Sequence, residues 1–208
     1  VLHVALPRPV TSIHQIEITS RCNLSCVYCT SPAIQRGDYP NRKALDMDRS
    51  TYLRALKWVR WYVAQRTQHE LNLAGIGEST IHPDFIDYLR LARETVGDRV
   101  KLIFATNGVL PAPAPKDPRE YMAALELLAK QMVPYHPEVW VSAHRPEKAG
   151  LAIDVYARLG LLRGVSHDPS INSMDWAGQV VWPRNQQQHD LPFPCQWIRD
   201  GKAMVMAD

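Results

Sequence analysis

Polar and apolar residues alternate over Ile13-His14-Gln15-Ile16-Glu17-Ile18-Thr19, which predicts a half-buried strand. From Ser50 the period lengthens, and Tyr52, Leu56, Val59 and Val63 share one face of a predicted helix. Leu71-Asn72-Leu73-Ala74 predicts a short second strand that ends in Gly75-Ile76-Gly77. After Pro83, the residues Phe85, Leu89, Ala92 and Val96 keep helical phase, and Gly97 stands where a C-cap belongs. Residues 100–105 predict a third strand closing on Thr106-Asn107-Gly108, and the proline-rich stretch 111–115 predicts a rigid loop. Tyr121, Leu125, Leu128 and Met132 mark a third helix, 139–143 a fourth strand and 147–160 a fourth helix. Beyond about residue 163 the pattern fades: 166–173 reads as turns, 178–182 as a candidate strand and 184–190 as a polar loop. No internal repeat stands out.

Strands alternating with helices predict a parallel sheet covered by helices. Such sheets carry their chemistry at the C-terminal ends of the strands. The residue types that carry chemistry fall at those ends: Cys22, Cys26 and Cys29 after the first strand, Gly75 to Glu78 after the second, Thr106 to Gly108 after the third, and Ser142 to His144 at the fourth.

Composition narrows the picture a little. With 208 residues, 46% of them apolar and 22% charged, the chain can build a core and is too apolar for a disordered class. The formal charge of +3 comes without any basic run, so a nucleic-acid partner is not expected. No apolar stretch approaches the ~18 residues of a membrane helix, and a cytoplasmic protein is expected. The opening VLHVALPRPV has neither a signal-peptide apolar region nor an initiating Met, which points to a processed or trimmed chain.

The cysteines change more. Three of the 4 lie together in Arg21-Cys22-Asn23-Leu24-Ser25-Cys26-Val27-Tyr28-Cys29, and Cys195 is far away. A disulfide framework would leave the triplet with an odd thiol and has no secretory context. Zinc sites ordinarily take four ligands and pair their cysteines, so a zinc knuckle is the weaker metal alternative. Three local thiolates suit an iron–sulfur cubane with one iron left open.

A strand followed by Cys-x3-Cys-x2-Cys, with an aromatic before the last Cys, resembles the radical S-adenosylmethionine (radical SAM) superfamily. Ala74-Gly75-Ile76-Gly77-Glu78-Ser79 is similar to that family's Gly-Gly-Glu-Pro segment, with His82-Pro83 following. Phe104-Ala105-Thr106-Asn107-Gly108 and Val139-Trp140-Val141-Ser142 resemble its third and fourth strands. The resemblance implies an α/β fold: a partial, TIM-like (β/α) barrel, six-stranded or shortened, over residues 11–183. It implies that Cys22, Cys26 and Cys29 hold a [4Fe–4S] cluster whose open iron is chelated by S-adenosylmethionine. An electron delivered by a donor such as flavodoxin or ferredoxin then cleaves the sulfonium and yields a 5′-deoxyadenosyl radical that abstracts a substrate hydrogen.

The resemblance also implies cofactor contacts. Gly75 and Gly77 would let backbone approach the cofactor, and Glu78 would meet the methionyl ammonium. Tyr28 would lie near adenine or pack structurally, and Ser142 would reach the ribose or methionyl end or serve as a small buried residue. Asn107 is a turn residue or a cofactor contact. His144, with Arg145, faces substrate or solvent. No catalytic acid or base is evident beyond His144.

Cys195 in Pro192-Phe193-Pro194-Cys195-Gln196-Trp197, together with Trp176-Ala177-Gly178 upstream, resembles the opening of a SPASM or twitch extension over residues 184–208. That resemblance implies an auxiliary iron–sulfur cluster in a longer form, since residues 196–208 hold no second Cys; otherwise Cys195 is a buried free thiol. The extension points to a peptide or protein side chain as substrate. The modest length leaves a nucleoside or other small metabolite as the alternative, and a zinc-stabilised binding module without catalysis as the remote one.

Overall fold

The computed structural model describes residues 10–26, 29, 31–38, 43–143, 146–166 and 202–205. Tyr28, His144, Cys195 and the candidate strand at 178–182 lie outside the described residues.

The predicted repeats form one parallel sheet. Strands β1 (Ser12–Ile16), β2 (Glu70–Asn72), β3 (Lys101–Thr106) and β4 (Glu138–Ser142) are followed by β5 (Leu162–Ser166) and β6 (Lys202–Val205). The strand order is β5-β4-β3-β2-β1-β6, and every pairing is parallel. The first five strands therefore lie side by side in chain order. β6 adds to the outer edge of β1, so four residues of the segment expected to form an extension belong to this sheet.

Helices α1 (Ser31–Arg36), α2 (Arg49–Ala64), α3 (Phe85–Val96), α4 (Pro118–Met132) and α5 (Pro146–Arg158) connect the strands. Leu71 pairs in register with Leu102, and Phe104 with Val139, which sets these side chains on one face of the sheet, all fully buried. On the opposite face, Asn72 pairs with Ile103 and Ala105 with Trp140, and Trp140 is 42% exposed.

The helix ends explain themselves locally. The side chain of Asp48, rather than Ser50, caps α2 by accepting from the Thr51 N–H, and it also takes the Ser50 hydroxyl. Asp117 caps α4 with Pro118 in the first turn. Gly97 ends α3 at φ +65°, as its position predicts. Between α2 and α3, Tyr52 and Tyr88 stack with centroids 4.1 Å apart, and the Tyr52 hydroxyl donates to the Tyr88 carbonyl at 2.8 Å.

Candidate functional site

The end of β1 continues as Glu17 to Ser20 and is clamped by the returning segment 43–47. The Met47 N–H donates to the Ile18 carbonyl and the Ser20 N–H to the Leu45 carbonyl. Asp46 takes the Thr19 hydroxyl and the Arg21 guanidinium, each at 2.7 Å. This neck holds both ends of the excursion that carries Cys22, Cys26 and Cys29, so the loop leaves the sheet from a closed base.

None of the three cysteines is in a disulfide, and all three are of intermediate exposure. They line one cavity of about 210 Å³ at the C-terminal ends of the strands, together with Gly75, Gly77, Glu78, Asn107 and Ser142. Every described residue that the sequence marked as a metal or cofactor candidate is therefore in the same place. The Cys22 sulfur accepts from the Leu24 N–H at 3.4 Å and from the Asn107 carboxamide at 3.7 Å, and the Cys29 sulfur accepts from the Ser31 N–H at 3.4 Å. Burial pushes the Cys22 thiol up to about 11, against the lowering effect of the Leu24 N–H. Among the described residues, no three of His, Cys, Asp or Glu converge on a point where a single metal ion could sit. A zinc knuckle takes four ligands on one ion, whereas a cubane takes one thiolate on each of three irons.

The two glycines face inward to the chain. A Cβ on Gly75 would stand 2.1 Å from a Glu17 carboxylate oxygen, and one on Gly77 would stand 2.1 Å from the Thr19 carbonyl oxygen and 2.6 Å from that of Arg21. Glycine is required here because the loop after β2 presses against the end of β1, and both glycines also line the cavity. Glu17, 1% exposed, accepts the Ile76 N–H at 2.7 Å and completes that junction.

Glu78 caps a 3-10 turn over Ser79–Ile81. One carboxylate oxygen takes the Thr80 N–H at 3.2 Å and hydroxyl at 2.7 Å, and the other takes the Asn107 N–H at 2.7 Å. The Thr106 hydroxyl also bonds to it. Four donors match the roughly four lone-pair sites of a carboxylate. An ammonium arriving here would thus gain charge attraction by sharing an occupied acceptor. Burial outweighs these bonds and raises the Glu78 carboxyl above its ordinary value.

Two participants were not evident in the sequence. Asn23 donates to the Val109 and Leu110 carbonyls at 2.9 and 3.2 Å and accepts from Asn107 at 2.8 Å. Glu17, the other, falls on the polar phase of the alternating strand, and its burial at 1% exposure shows only in the fold.

A parallel sheet whose first five strands lie in chain order, with three thiols and a carboxylate at its C-terminal edge, defines a partial α/β barrel with a thiol-lined centre. Residues 16–144 match the family model described as the Radical SAM superfamily, and the chain belongs to that superfamily of enzymes. It is 32% identical over 109 residues to the PqqA peptide cyclase of Ruegeria pomeroyi, covering 52% of this chain and 26% of that protein. It is 29% identical over 148 residues to the GTP 3′,8-cyclase of Limosilactobacillus fermentum, covering 71% of this chain and 41% of that protein. The chain thus spans between a quarter and two fifths of these curated relatives. The fold is similar to that of BtrN in a complex with AdoMet and 2-DOIA, with a TM-score of 0.63 at 15% identity, over 97% of this chain and 72% of that one. Membership of the superfamily implies a [4Fe–4S] cluster and S-adenosylmethionine, and the donor set fits: three thiols outside any disulfide line one cavity beside a buried carboxylate. Among the described residues, no helix is long and apolar enough to cross a membrane.

Proposed function

We propose that this chain holds a [4Fe–4S] cluster on Cys22, Cys26 and Cys29, binds S-adenosylmethionine against Glu78 and Ser142, and modifies a side chain of a peptide or protein. The observation that carries the reading is the meeting of the three thiols with Glu78 and Ser142 in one cavity, drawn from loops far apart in sequence. When bound, cluster and cofactor supply reductive cleavage of the sulfonium C–S bond and, from it, hydrogen abstraction. The chain's own part is placement. Soft thiolates hold iron, Glu78 sets negative charge beside the cavity, Ser142 presents a hydroxyl from the end of β4, and Leu24, Ile76 and Ala105 keep the walls apolar. The electron comes from a donor of the flavodoxin or ferredoxin kind.

Similarity to a peptide cyclase supports a peptide substrate. A nucleoside or another small metabolite is the second reading, favoured by the longer match to a GTP cyclase. Anaerobic reconstitution tests the common core. The chain is expected to take up close to four irons and to form 5′-deoxyadenosine under reduction, and Cys26→Ala is expected to lose both. Near-normal iron and turnover in that variant would overturn the assignment. Deuterium transfer from a labelled peptide into 5′-deoxyadenosine supports the first substrate class, and consumption of a nucleotide replaces it with the second. Cys195 is proposed to ligate an auxiliary cluster only in a longer form, so Cys195→Ala in this chain is expected to leave the iron content unchanged. A count near eight irons would refute that.

A further inference from the structure

The carboxamides of Asn23 and Asn107 can be oriented without ambiguity. The Val109 N–H can only donate, and it points at Asn107 Oδ1 at 2.8 Å. The carbonyls of Val109 and Leu110 can only accept, and both take the Asn23 Nδ2 protons. Asn23 Oδ1 therefore faces Asn107 Nδ2, at 2.8 Å. One Asn107 amide proton goes to Asn23, and the second is left for the Cys22 sulfur at 3.7 Å. Turning the Asn107 amide over would set its nitrogen against the Val109 N–H and its oxygen against both the Asn23 oxygen and the sulfur. Its backbone N–H is also committed, to Glu78 at 2.7 Å. Every polar group that could let this side chain turn is in use.

From this geometry we infer that Asn107 is a positioning residue that sets the reduction potential of the cluster through its N–H to Cys22, with Asn23 holding the amide in place. The inference rests on the reading that Cys22 ligates iron. A hydrogen bond to a ligating sulfur draws charge off it and stabilises the more negative, reduced cluster. It therefore moves the potential toward the donor's reach. Asn107 bonds the Cys22 sulfur through its side chain, so substitution can remove that donor, whereas the Leu24 and Ser31 bonds to sulfur come from backbone N–H groups.

The test is a potentiometric titration of the reconstituted full chain, followed by the electron paramagnetic resonance of the reduced cluster. Asn107→Ala is expected to keep close to four irons and to shift the midpoint negative by about tenfold in the one-electron equilibrium constant, or about 59 mV. Asn107→Asp keeps an acceptor for Val109 and puts a carboxylate at the sulfur, so it is expected to shift further. Asn23→Ala leaves the donor but frees it, and is expected to shift in the same direction by less. If Asn107→Ala fails to assemble, the other two variants decide. A normal cluster with an unchanged midpoint in the assembled variants overturns the role of Asn107 alone. A wild-type chain without a cluster, or a full cluster in Cys22→Ala, overturns the underlying ligand assignment.

Discussion

Replacing Gly77 by Ala places a methyl group 2.1 Å from the Thr19 carbonyl oxygen and 2.6 Å from that of Arg21. Both obstacles are backbone atoms in the neck of the cysteine loop, so neither can swing aside as a side-chain tip would. The loop after β2 has to lift away. Overpacking of this kind costs about 1–3 kcal/mol. Lifting also breaks the bond from the Glu78 N–H to the Arg21 carbonyl, now 2.8 Å long, at about 0.5–1.5 kcal/mol. The expected destabilisation is about 2–4 kcal/mol, a large share of a typical domain's stability of about 5–15 kcal/mol. Gly150 is the internal control, because it lies in α5 and a Cβ there meets nothing within 4 Å. Gly150→Ala is expected to be neutral or to stabilise by about 0.5–1 kcal/mol. Urea unfolding of the iron-free, reduced chain, followed by far-ultraviolet circular dichroism, compares the two directly. At about 2–4 °C per kcal/mol for a chain of this size, Gly77→Ala should also melt roughly 4–16 °C lower. A loss below about 0.5 kcal/mol in Gly77→Ala, or equal losses in both variants, would refute the reasoning that close backbone approach demands this glycine.

Further outcomes concern the titrating groups. The folded chain holds the Glu78 carboxyl above its ordinary value, so between the unfolded and folded values the native state binds more protons. The stability that Glu78 contributes is therefore fully present below the unfolded value and is lost as pH rises through the folded one. The difference in unfolding free energy between wild type and Glu78→Gln should slope with pH across that interval, and a flat difference would contradict the shift. In the reconstituted enzyme the same variant should bind S-adenosylmethionine more weakly by about 1.5–3 kcal/mol, or roughly tenfold to a hundredfold in Kd, with iron retained. An unchanged Kd would confine Glu78 to joining the loops. With its thiol raised from 9.0 to about 11 by burial, Cys22 of the iron-free chain should alkylate at pH 8 about a hundredfold more slowly than a thiol at the ordinary value, because only the thiolate reacts. Peptide mapping after a timed iodoacetamide pulse measures this, and labelling at the ordinary rate would show the thiol to be unburied.

The sequence by itself determined the elements whose burial is one-sided. α2, α3 and α4 bury one stripe each, and β3 alternates, so their periods are written locally in residues such as Tyr52, Leu89, Leu125 and Phe104. It also determined the cysteine triplet and its place after a strand, since both are matters of spacing along the chain. β5 escaped because it is the edge strand next to β4, with no fully buried position and a glycine at its centre, and so shows no alternation to read. β6 joins the sheet beside β1, and no local pattern names the neighbour of a strand. The site's internal reasons were hidden for the same cause. Gly75 answers to Glu17, Gly77 to the backbone of Thr19 and Arg21, and Asn23 to Asn107, which stands 84 residues later. Hydrophobic periodicity reports whether a residue faces the core. Close approach between loops, and the hydrogen bonds that follow from it, exist only once the sheet has brought the ends of β1, β2 and β3 together.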